Sequence, residues 1–175
     1  MIIRGLARDE IETIWAINRS EVVENVYYLR DGALVLVTEY YDMKGWPTGE
    51  TELYTPILCD CFDRSGTFYG AFEGSEMVGA VVLESRFIGK AKDQLQLKFL
   101  HVGSGYRKKG WGKRLFEKAV ERARGLGAKR LYISATPSEN TVDFYLHLGC
   151  EVTGGIDQEL FELEPEDIHL EYRIP

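Results

Sequence analysis

The sequence predicts a single domain of the mixed α/β (α+β) class, built on a central sheet of six to seven strands with helices against it. Its 175 residues fit one domain, residues 1–175, with no internal repeat or change in composition. A strand–helix–strand pattern over residues 94–135 indicates a right-handed parallel crossover. A hairpin pattern over residues 67–87 indicates antiparallel neighbours, so the two patterns together predict a mixed sheet.

The first part of the chain predicts a strand, a long helix and a second strand. The stretch "IIRGLA" is typical of a strand. Asp9 with Glu12 resembles a capping box. Apolar residues at helical spacing then predict a helix, or a bent pair of helices, that ends near Arg30 to Gly32: Ile11, Ile14, Trp15, Val22 and Val26. "ALVLVTEYY" is strand-like, and "DMKGWPTGE" predicts a loop.

A short helix, a hairpin and a strand follow. Thr55 before Pro56 is typical of an N-cap with proline at the first helical position. The buried face of that helix would be Ile57, Leu58, Cys61 and Phe62. The hairpin would turn at residues 73–76. In "QLQLKFLHV" the apolar phase shifts after Phe99, which indicates either a β-bulge or a strand buried on both faces.

The last third predicts two helices and two strands. An apolar stripe from Gly110 onwards predicts a helix that Gly125 and Gly127 end. "KRLYISAT" is typical of a short buried strand, and Thr136-Pro137-Ser138 opens a helix that Gly149 closes. In the final strand, Ile168, Leu170, Tyr172 and Ile174 alternate with polar residues, so we expect it to be half exposed.

Composition and charge exclude several classes of protein. Hydrophobic residues make up 45% and charged residues 28%, which is ordinary for a globular protein, and no apolar run approaches the roughly 20 residues of a membrane span. No signal-peptide pattern is found at the start, so we expect a cytoplasmic protein without a membrane partner. A pI near 5.1 argues against general nucleic-acid binding. Cys59, Cys61 and Cys150 lack zinc-site spacing, so we expect reduced, mostly buried thiols and no metal.

One basic stretch stands out in this acidic chain of net charge -7. Around Gly110 and Gly112, at a predicted helix start, lie five cations: Arg107, Lys108, Lys109, Lys113 and Arg114. Cations at a helix start are repelled by the positive end of the helix dipole, whereas a bound anion would stabilise both the helix start and these cations. We therefore expect a pyrophosphate on the free amides, although a solvated basic helix start is the alternative. Neither the ATP-loop nor the dinucleotide glycine pattern fits.

These residues also carry a family resemblance. Arg107-Lys108-Lys109-Gly110-Trp111-Gly112 resembles the R/Q-x-x-G-x-G/A signature of the GNAT acyltransferase superfamily. Asn140 followed by "FYLHLGC" is similar to the family's second block. The resemblance is strongest over residues 76–152, and the tail "GGIDQELFELEPEDIHLEYRIP" is similar, more weakly, to the end of streptothricin-type acetyltransferases.

The resemblance implies a GNAT-like fold with a parallel, splayed strand pair and acetyl-CoA as co-substrate, with no metal. The pyrophosphate would lie on the amides of residues 108–113. The pantetheine arm would follow the main chain of residues 100–102, and the amide of Val102 or a neighbour would polarise the thioester carbonyl. The residues that would bind the co-substrate are Leu100, His101, Val102, Arg107, Lys108, Lys109, Gly110, Trp111, Gly112, Lys113 and Asn140.

The implied reaction is direct transfer of the acetyl group to an amine, for which proton transfers must be found. By its motif position Tyr145 would be the acid that protonates the leaving thiolate. The base stays open between Glu84, His101, and Asp157 or Glu159 acting through water. Several family members carry a carboxylate on the strand before the signature, but residues 94–102 contain none, which weakens the streptothricin assignment.

The acceptor would be a primary amine of a small molecule, such as an aminated antibiotic, or a protein amino group. We expect specificity from loops within residues 20–66, where aromatic and acidic side chains are mixed: Tyr27, Tyr28, Tyr40, Tyr41, Trp46 and Tyr54 with Glu21, Glu24, Asp42, Glu50 and Glu52. Two alternatives are a CoA-binding sensor without turnover, and an interaction protein whose basic helix start binds an acidic partner. Homodimerisation through the last strand is compatible with the interaction-protein alternative.

Overall fold

The computed structural model describes residues 2–175 and contains a seven-stranded mixed sheet and a separate two-stranded sheet. The strands are β1 (Ile2–Gly5), β2 (Glu21–Arg30), β3 (Ala33–Met43), β4 (Thr67–Glu73), β5 (Glu76–Ile88), β6 (Gln94–Val102), β7 (Arg130–Ala135), β8 (Glu151–Val152) and β9 (Ile168–Arg173). The helices are α1 (Glu50–Asp63), α2 (Trp111–Gly125), α3 (Glu139–His147) and α4 (Gln158–Leu163), with 3₁₀ helices at Arg8–Ala16 and Ser104–Tyr106.

The large sheet has the order β1-β4-β5-β6-β7-β9-β8, and β2 pairs with β3 in the small one. Within residues 2–175, β6 and β7 are the only parallel pair, and α2 connects them. This confirms the predicted mixed α/β class, the parallel crossover and the antiparallel hairpin, whose turn lies at Gly74 and Ser75.

The parallel pair is splayed. β6 pairs with β7 only over Gln94–Gln96, although β6 continues to Val102. On its other side, β6 pairs Leu97 with Leu83 and Phe99 with Val82, so Lys98 is an extra residue in the ladder. The predicted β-bulge is therefore confirmed, and the half of β6 before it is also buried on both faces. Past residue 96, one edge of β6 faces an open gap.

Alternation along β5 places a hydrophobic core on each face of the sheet. Val81 and Leu83 pack in the core that includes Leu115 of α2. Val82, between them, packs in the other core, with Leu58 of α1. Helices thus cover both faces and leave the splayed end of the sheet as the natural place for a site.

The prediction of a helix over residues 11–30 is wrong beyond Ala16. Val22 and Val26 lie on β2. The turn that follows this segment makes it one strand of a hairpin. Asp31 and Gly32 have φ angles of 50° and 79°, the left-handed pair of a two-residue hairpin turn, and Arg30 pairs with Ala33 across it. The expected loops of residues 20–66 are thus largely a β-hairpin and α1.

Both predicted helix starts in this half are also wrong. The first helix is capped at Ala7, whose N–H donates to the carboxylate of Glu10 at 2.8 Å, so Asp9 lies inside the helix. Helix α1 begins at Glu50, with Pro56 in its interior. The hydroxyl of Thr55 donates to the carbonyl of Thr51 at 2.6 Å, which is a bond within a helix rather than an N-cap bond.

The last strand differs from its prediction in burial. His169 and Glu171 are 5% and 8% exposed, because β9 lies between β7 and β8 rather than at the edge. The three cysteines are free thiols, with Cys61 and Cys150 buried, as predicted. No helix within residues 2–175 combines the length and apolar character needed to cross a membrane. In the same residues, no three His, Cys, Asp or Glu side chains are grouped to hold a metal ion.

Candidate active site

Two adjoining cavities open at the splayed end of the sheet. The first, about 840 Å³, lies between the separating strands β6 and β7 and is closed by the starts of α2 and α3; we call it the splay cavity. The second, about 670 Å³, lies under the β2–β3 hairpin and against α4 and β9; we call it the hairpin cavity. Arg19, Glu21 and Thr136 line both, so the cavities share a boundary.

The start of α2 presents unpaired amides to the splay cavity. The first intrahelical bond runs from the N–H of Arg114 to the carbonyl of Gly110 at 3.1 Å. Among residues 2–175, no main-chain acceptor pairs with the N–H groups of Trp111, Gly112 and Lys113. The first turn has no acidic residue, so the partial positive charge of the helix start is not neutralised. This arrangement favours an anion.

The two glycines of this turn are needed for different reasons. Gly110 has φ +83°, a left-handed conformation that side chains other than glycine rarely adopt, and the space around it is open. Gly112 is helical, but a Cβ on it would lie 3.0 Å from Cε2 of Phe144. The absent side chain of Gly112 therefore allows α3 to pack closely against α2, beside the unpaired amides.

The predicted cations separate into two groups. Lys108 and Lys113 line the splay cavity, next to the free amides. Lys109 instead donates to the carbonyl of Gly105 at 2.8 Å, and neither it nor Trp111 lines the cavity. Trp111 packs under the guanidinium of Arg114.

Arg107 has a structural position. Its guanidinium donates to the carbonyl of Val102 at 3.0 Å and to those of Ser20 and Arg19 at 3.2 and 3.4 Å. It also lies 3.8 Å from the carboxylate of Glu21. Arg107 therefore ties the end of β6 to the segment that separates the two cavities, although it still lines the splay cavity.

The second-block residues Asn140 and Tyr145 both reach the splay cavity. The amide of Asn140 donates to Glu21 at 3.0 Å, which links α3 to the hairpin. Tyr145 is 6% exposed, and its hydroxyl makes no hydrogen bond within residues 2–175. Burial, and then the charges of Cys150 and Asp167, raise the pKa of Tyr145, so its hydroxyl stays protonated at neutral pH.

The structure does not bring the predicted base Glu84 to either cavity. Its carboxylate is buried and bonded to Arg64 at 2.7 Å, to the N–H of Ser85 at 2.8 Å, and paired with Lys98 at 3.5 Å. Burial alone would raise its pKa, but the bonds from Arg64 and Ser85 and the charge of Lys98 lower it to about 2. A carboxylate of that pKa is a weak base, so this placement favours a structural role.

The other candidate bases are also poorly suited. His101 lines the splay cavity, but burial and the charges of Arg19 and Arg107 lower its pKa to about 3. Asp157 caps α4 by accepting from the N–H of Leu160 at 3.1 Å, and Glu159 is exposed; neither lines a cavity.

The hairpin cavity contains residues that the sequence analysis did not single out. From residues 20–66 it takes Glu21, Tyr27, Tyr28 and Tyr41 of the predicted set, while Tyr40 is 66% exposed. It also contains the carboxylates of Glu39, Glu166 and Asp167, and the imidazole of His169. No sequence signal marked these, and His169 in particular lies on a strand that the alternation predicted to be half exposed.

A family model described as "Acetyltransferase (GNAT) family" matches residues 33–150, which include both sequence blocks and the start of α2. The chain belongs to the GNAT acetyltransferase family. Membership confirms the resemblance that the signature around Gly110 indicated and the acetyltransferase class of the protein.

Solved GNAT structures share the whole fold of this chain. Nourseothricin acetyltransferase superposes with a TM-score of 0.72 at 18% identity, covering 99% of this chain and 98% of that one. A proposed streptothricin acetyltransferase from Bacillus anthracis str. Ames, in complex with acetyl coenzyme A, gives 0.73 at 18% identity and the same coverage. The PaiA N-acetyltransferase from Thermoplasma acidophilum, in complex with coenzyme A, gives 0.64 at 20% identity, covering 98% of each chain. At these identities the similarity shows the fold. No protein of curated function matches the sequence.

Proposed function

We propose that this GNAT protein is an acetyl-CoA-dependent N-acetyltransferase that transfers the acetyl group directly to a primary amine. The observation that carries the proposal is the meeting of two cavities at the splayed strands, one suited to a diphosphate and one suited to a cation. Co-substrate and acceptor would then approach the reaction centre from opposite sides of one boundary, which is what direct transfer needs.

The splay cavity fits the co-substrate. The diphosphate would lie on the free amides of residues 111–113, with Lys108 and Lys113 beside it. The pantetheine arm would lie along Leu100–Val102, where β6 has no strand partner on the side of β7. The two solved structures named as complexes with acetyl coenzyme A and coenzyme A are compatible with this choice. Arg107 would act by holding the cavity wall rather than by touching phosphate.

The hairpin cavity fits an amine that carries positive charge. Glu39, Glu166 and Asp167 line it together with three tyrosines, and acidic and aromatic side chains together attract ammonium groups. A cavity closed by the β2–β3 hairpin suits a small molecule better than a protein side chain. The names of the streptothricin and nourseothricin acetyltransferases add aminated antibiotics to the acceptors worth testing. A cytoplasmic location stays a prediction.

Tyr145 would supply the proton for the leaving sulfur. It is the residue of the second block whose hydroxyl is free, buried and in the splay cavity. Burial keeps this hydroxyl protonated but also makes it a weaker acid, so its role as donor rests on its position in the splay cavity rather than on its pKa.

The proposal is tested by measuring thiol release from acetyl-CoA in the presence of a panel of amines. The panel should contain polyamines, amino-sugar antibiotics, β-lysine-containing antibiotics and a lysine peptide, with mass spectrometry of the product. Calorimetry with acetyl-CoA runs alongside. Binding together with amine-dependent thiol release supports the transferase. Binding without release for any amine would favour the non-catalytic CoA-binding module, and absence of binding would overturn both.

A further inference from the structure

Asp167 lies where the two cavities meet. It directly precedes β9 and lines the hairpin cavity. The ladder between β7 and β9 ends with the pair Ala135 and Ile168, and Thr136 and Asp167 are the neighbouring residues just beyond that pair. Thr136 lines both cavities. The charge of Asp167 also reaches Tyr145 in the splay cavity, since it contributes to the raised pKa of that hydroxyl.

The carboxylate of Asp167 is free of the partners that hold the other candidate bases. Within residues 2–175, its oxygens accept no hydrogen bond, and only burial and neighbouring charges change the pKa of Asp167. Burial, then the charge of Glu164, raise the pKa of Asp167 to about 7; the charge of Glu50 acts in the same direction and that of Arg19 opposes it. Glu84, by contrast, is neutralised by Arg64 and Lys98.

The surroundings of Asp167 carry more negative than positive charge. Among residues 2–175, Arg19 is the one cation whose charge lowers the pKa of Asp167. The Nη1 atom of Arg19 is buried without a hydrogen bond, 3.9 Å from Glu50. Glu164 is bonded to the hydroxyl of Tyr54. The titratable and charged groups that face Asp167 are Arg19 before β2, Glu50 at the start of α1, Tyr145 on α3, Glu164 at the end of α4, and Glu166 and His169 beside it. An ammonium group entering the cavity would balance this charge.

A second polar group in the same cavity also lacks a partner. His169 is 5% exposed, and its Nδ1 lies 2.7 Å from the hydroxyl of Tyr132. That hydroxyl accepts from the N–H of Asp157 at 3.1 Å, and the tautomer that also lets it donate its own hydrogen has Nδ1 of His169 as the acceptor. The proton of His169 is then on Nε2, which is buried and makes no hydrogen bond within residues 2–175. A buried donor without a partner, in the wall of this cavity, indicates a ligand with an acceptor atom.

We propose that Asp167 is the general base of the reaction and accepts a proton from the acceptor's ammonium group in the hairpin cavity; this rests on the proposed transferase function. The neutral nitrogen then attacks the thioester carbonyl, forming the C–N bond, and the C–S bond breaks with its electron pair left on sulfur. Tyr145 protonates the sulfur, and the proton that nitrogen loses on collapse replaces the one Tyr145 gave. Asp167 releases its proton to solvent, so each turnover releases one proton.

The strength of the base matches the task. An alkyl ammonium has a pKa near 10, taking lysine as the reference, so a base that titrates near neutral pH transfers its proton far more readily than one of pKa 2 or 3. Among the carboxylates and histidines of the two cavities, Asp167 combines that property with a position at their boundary. In this proposal Asp167 takes the proton directly from the acceptor, so it would be a catalytic residue rather than a positioning residue.

The test compares Asp167→Asn with the wild-type protein and with Glu166→Gln, a neighbouring exposed carboxylate of the same cavity. Wild-type kcat/KM should rise with pH through about 7, since only the carboxylate form of Asp167 accepts a proton. Asp167→Asn should lose this dependence and fall about 10²- to 10⁴-fold in kcat, with a small change in the KM of the acceptor. Glu166→Gln removes a carboxylate from the same cavity, so it should raise the KM of the acceptor but keep the rise of kcat/KM with pH through about 7.

A hydrazide analogue of the best acceptor, already neutral at pH 7, provides the rescue. With it, Asp167→Asn should recover most of the wild-type rate, which a structural defect would not allow. The melting temperature of Asp167→Asn should equal or exceed that of the wild type, because the raised pKa makes the ionised Asp167 unfavourable in the folded state. If Asp167→Asn keeps the wild-type rate and profile, the proposal for Asp167 is overturned and the transferase function stands. A wild-type protein without thiol release would overturn both.

Discussion

Glu84 and Asp60 form a matched pair of carboxylates on one arginine. Arg64 contacts Glu84 at 2.7 Å and Asp60 at 2.8 Å, but the side chain of Glu84 is 7% exposed and that of Asp60 is 65% exposed. We predict that Glu84→Gln destabilises the protein strongly while leaving turnover nearly unchanged. Asp60→Asn is the control, since an exposed ion pair contributes about 0–1 kcal/mol.

The magnitude follows from the pKa of Glu84. A fall from 4.5 to about 2, at 1.36 kcal/mol per unit, corresponds to about 3 kcal/mol of folding free energy at pH 7. This agrees in order of magnitude with the roughly 3–5 kcal/mol lost when one partner of a buried ion pair is removed. For a protein of this size the melting temperature should drop by roughly 6–12 °C. Because the pKa is lowered, the stabilisation is complete above pH 4.5 and is lost as the pH falls through about 2.

Stability is measured by thermal unfolding and turnover by steady-state thiol release, both on the same preparations. At pH 3, the difference in unfolding free energy between wild type and Glu84→Gln should be about half of its value at pH 7. Asp60→Asn should melt within a few degrees of the wild type at every pH. A Glu84→Gln protein that melts like the wild type but has lost turnover would refute this reasoning and restore Glu84 as the candidate base.

Three further predictions concern the co-substrate and acceptor sides. Tyr145→Phe should lower the single-turnover rate of thiol release by about 10²-fold or more, with the calorimetric Kd for acetyl-CoA within a factor of two; an unchanged rate would remove Tyr145 as the acid. Gly112→Glu should abolish acetyl-CoA binding, measured by calorimetry, while the circular dichroism spectrum stays native. Gly112→Ala, whose Cβ would lie 3.0 Å from Phe144, measures the steric effect without the negative charge. Normal binding by the glutamate variant would mean that the diphosphate lies elsewhere. Gly32→Val forces a branched side chain to φ +79°, at about 1–2 kcal/mol, and should raise the acceptor KM by hairpin fraying without changing the Kd for acetyl-CoA; equal effects on both would mean that the hairpin supports both cavities.

The half of the fold around the signature was predictable because its signals are local. The stripe of α2 begins and ends at glycines, and a phase shift in β6 marked the bulge that the structure places at Lys98. The first half was harder, since Val22 and Val26 have a spacing that fits a helix as well as a strand. The turn at Asp31 and Gly32 decides between them, and its effect depends on pairing with a strand further along the chain.

The residues proposed to bind the co-substrate could be named from the sequence, whereas the proposed base could not, for the same reason. The free amides near Gly110 follow from one short segment. The environment of Asp167 is assembled from Arg19, Glu50 and Glu164, which come from three separate elements. No periodicity or spacing brings those residues together in the sequence, because their proximity arises from tertiary packing alone.

Within residues 2–175, β2 and β3 form a sheet of their own, and one isolated bridge, between Val26 and Ser138, pairs the hairpin with the rest of the protein. Hydrogen bonds near α3 add to it: the N–H of Tyr27 donates to the carbonyl of Pro137 at 2.8 Å, and the hydroxyl of Tyr27 donates to Asp143 at 2.8 Å. Point changes on the inward face of the hairpin therefore leave the register of the seven-stranded sheet untouched. During evolution, substitutions on this face can change which acceptor the hairpin cavity would bind, while the splay cavity keeps its residues. That separation makes the hairpin the natural place to begin if the enzyme is to be engineered toward a chosen acceptor.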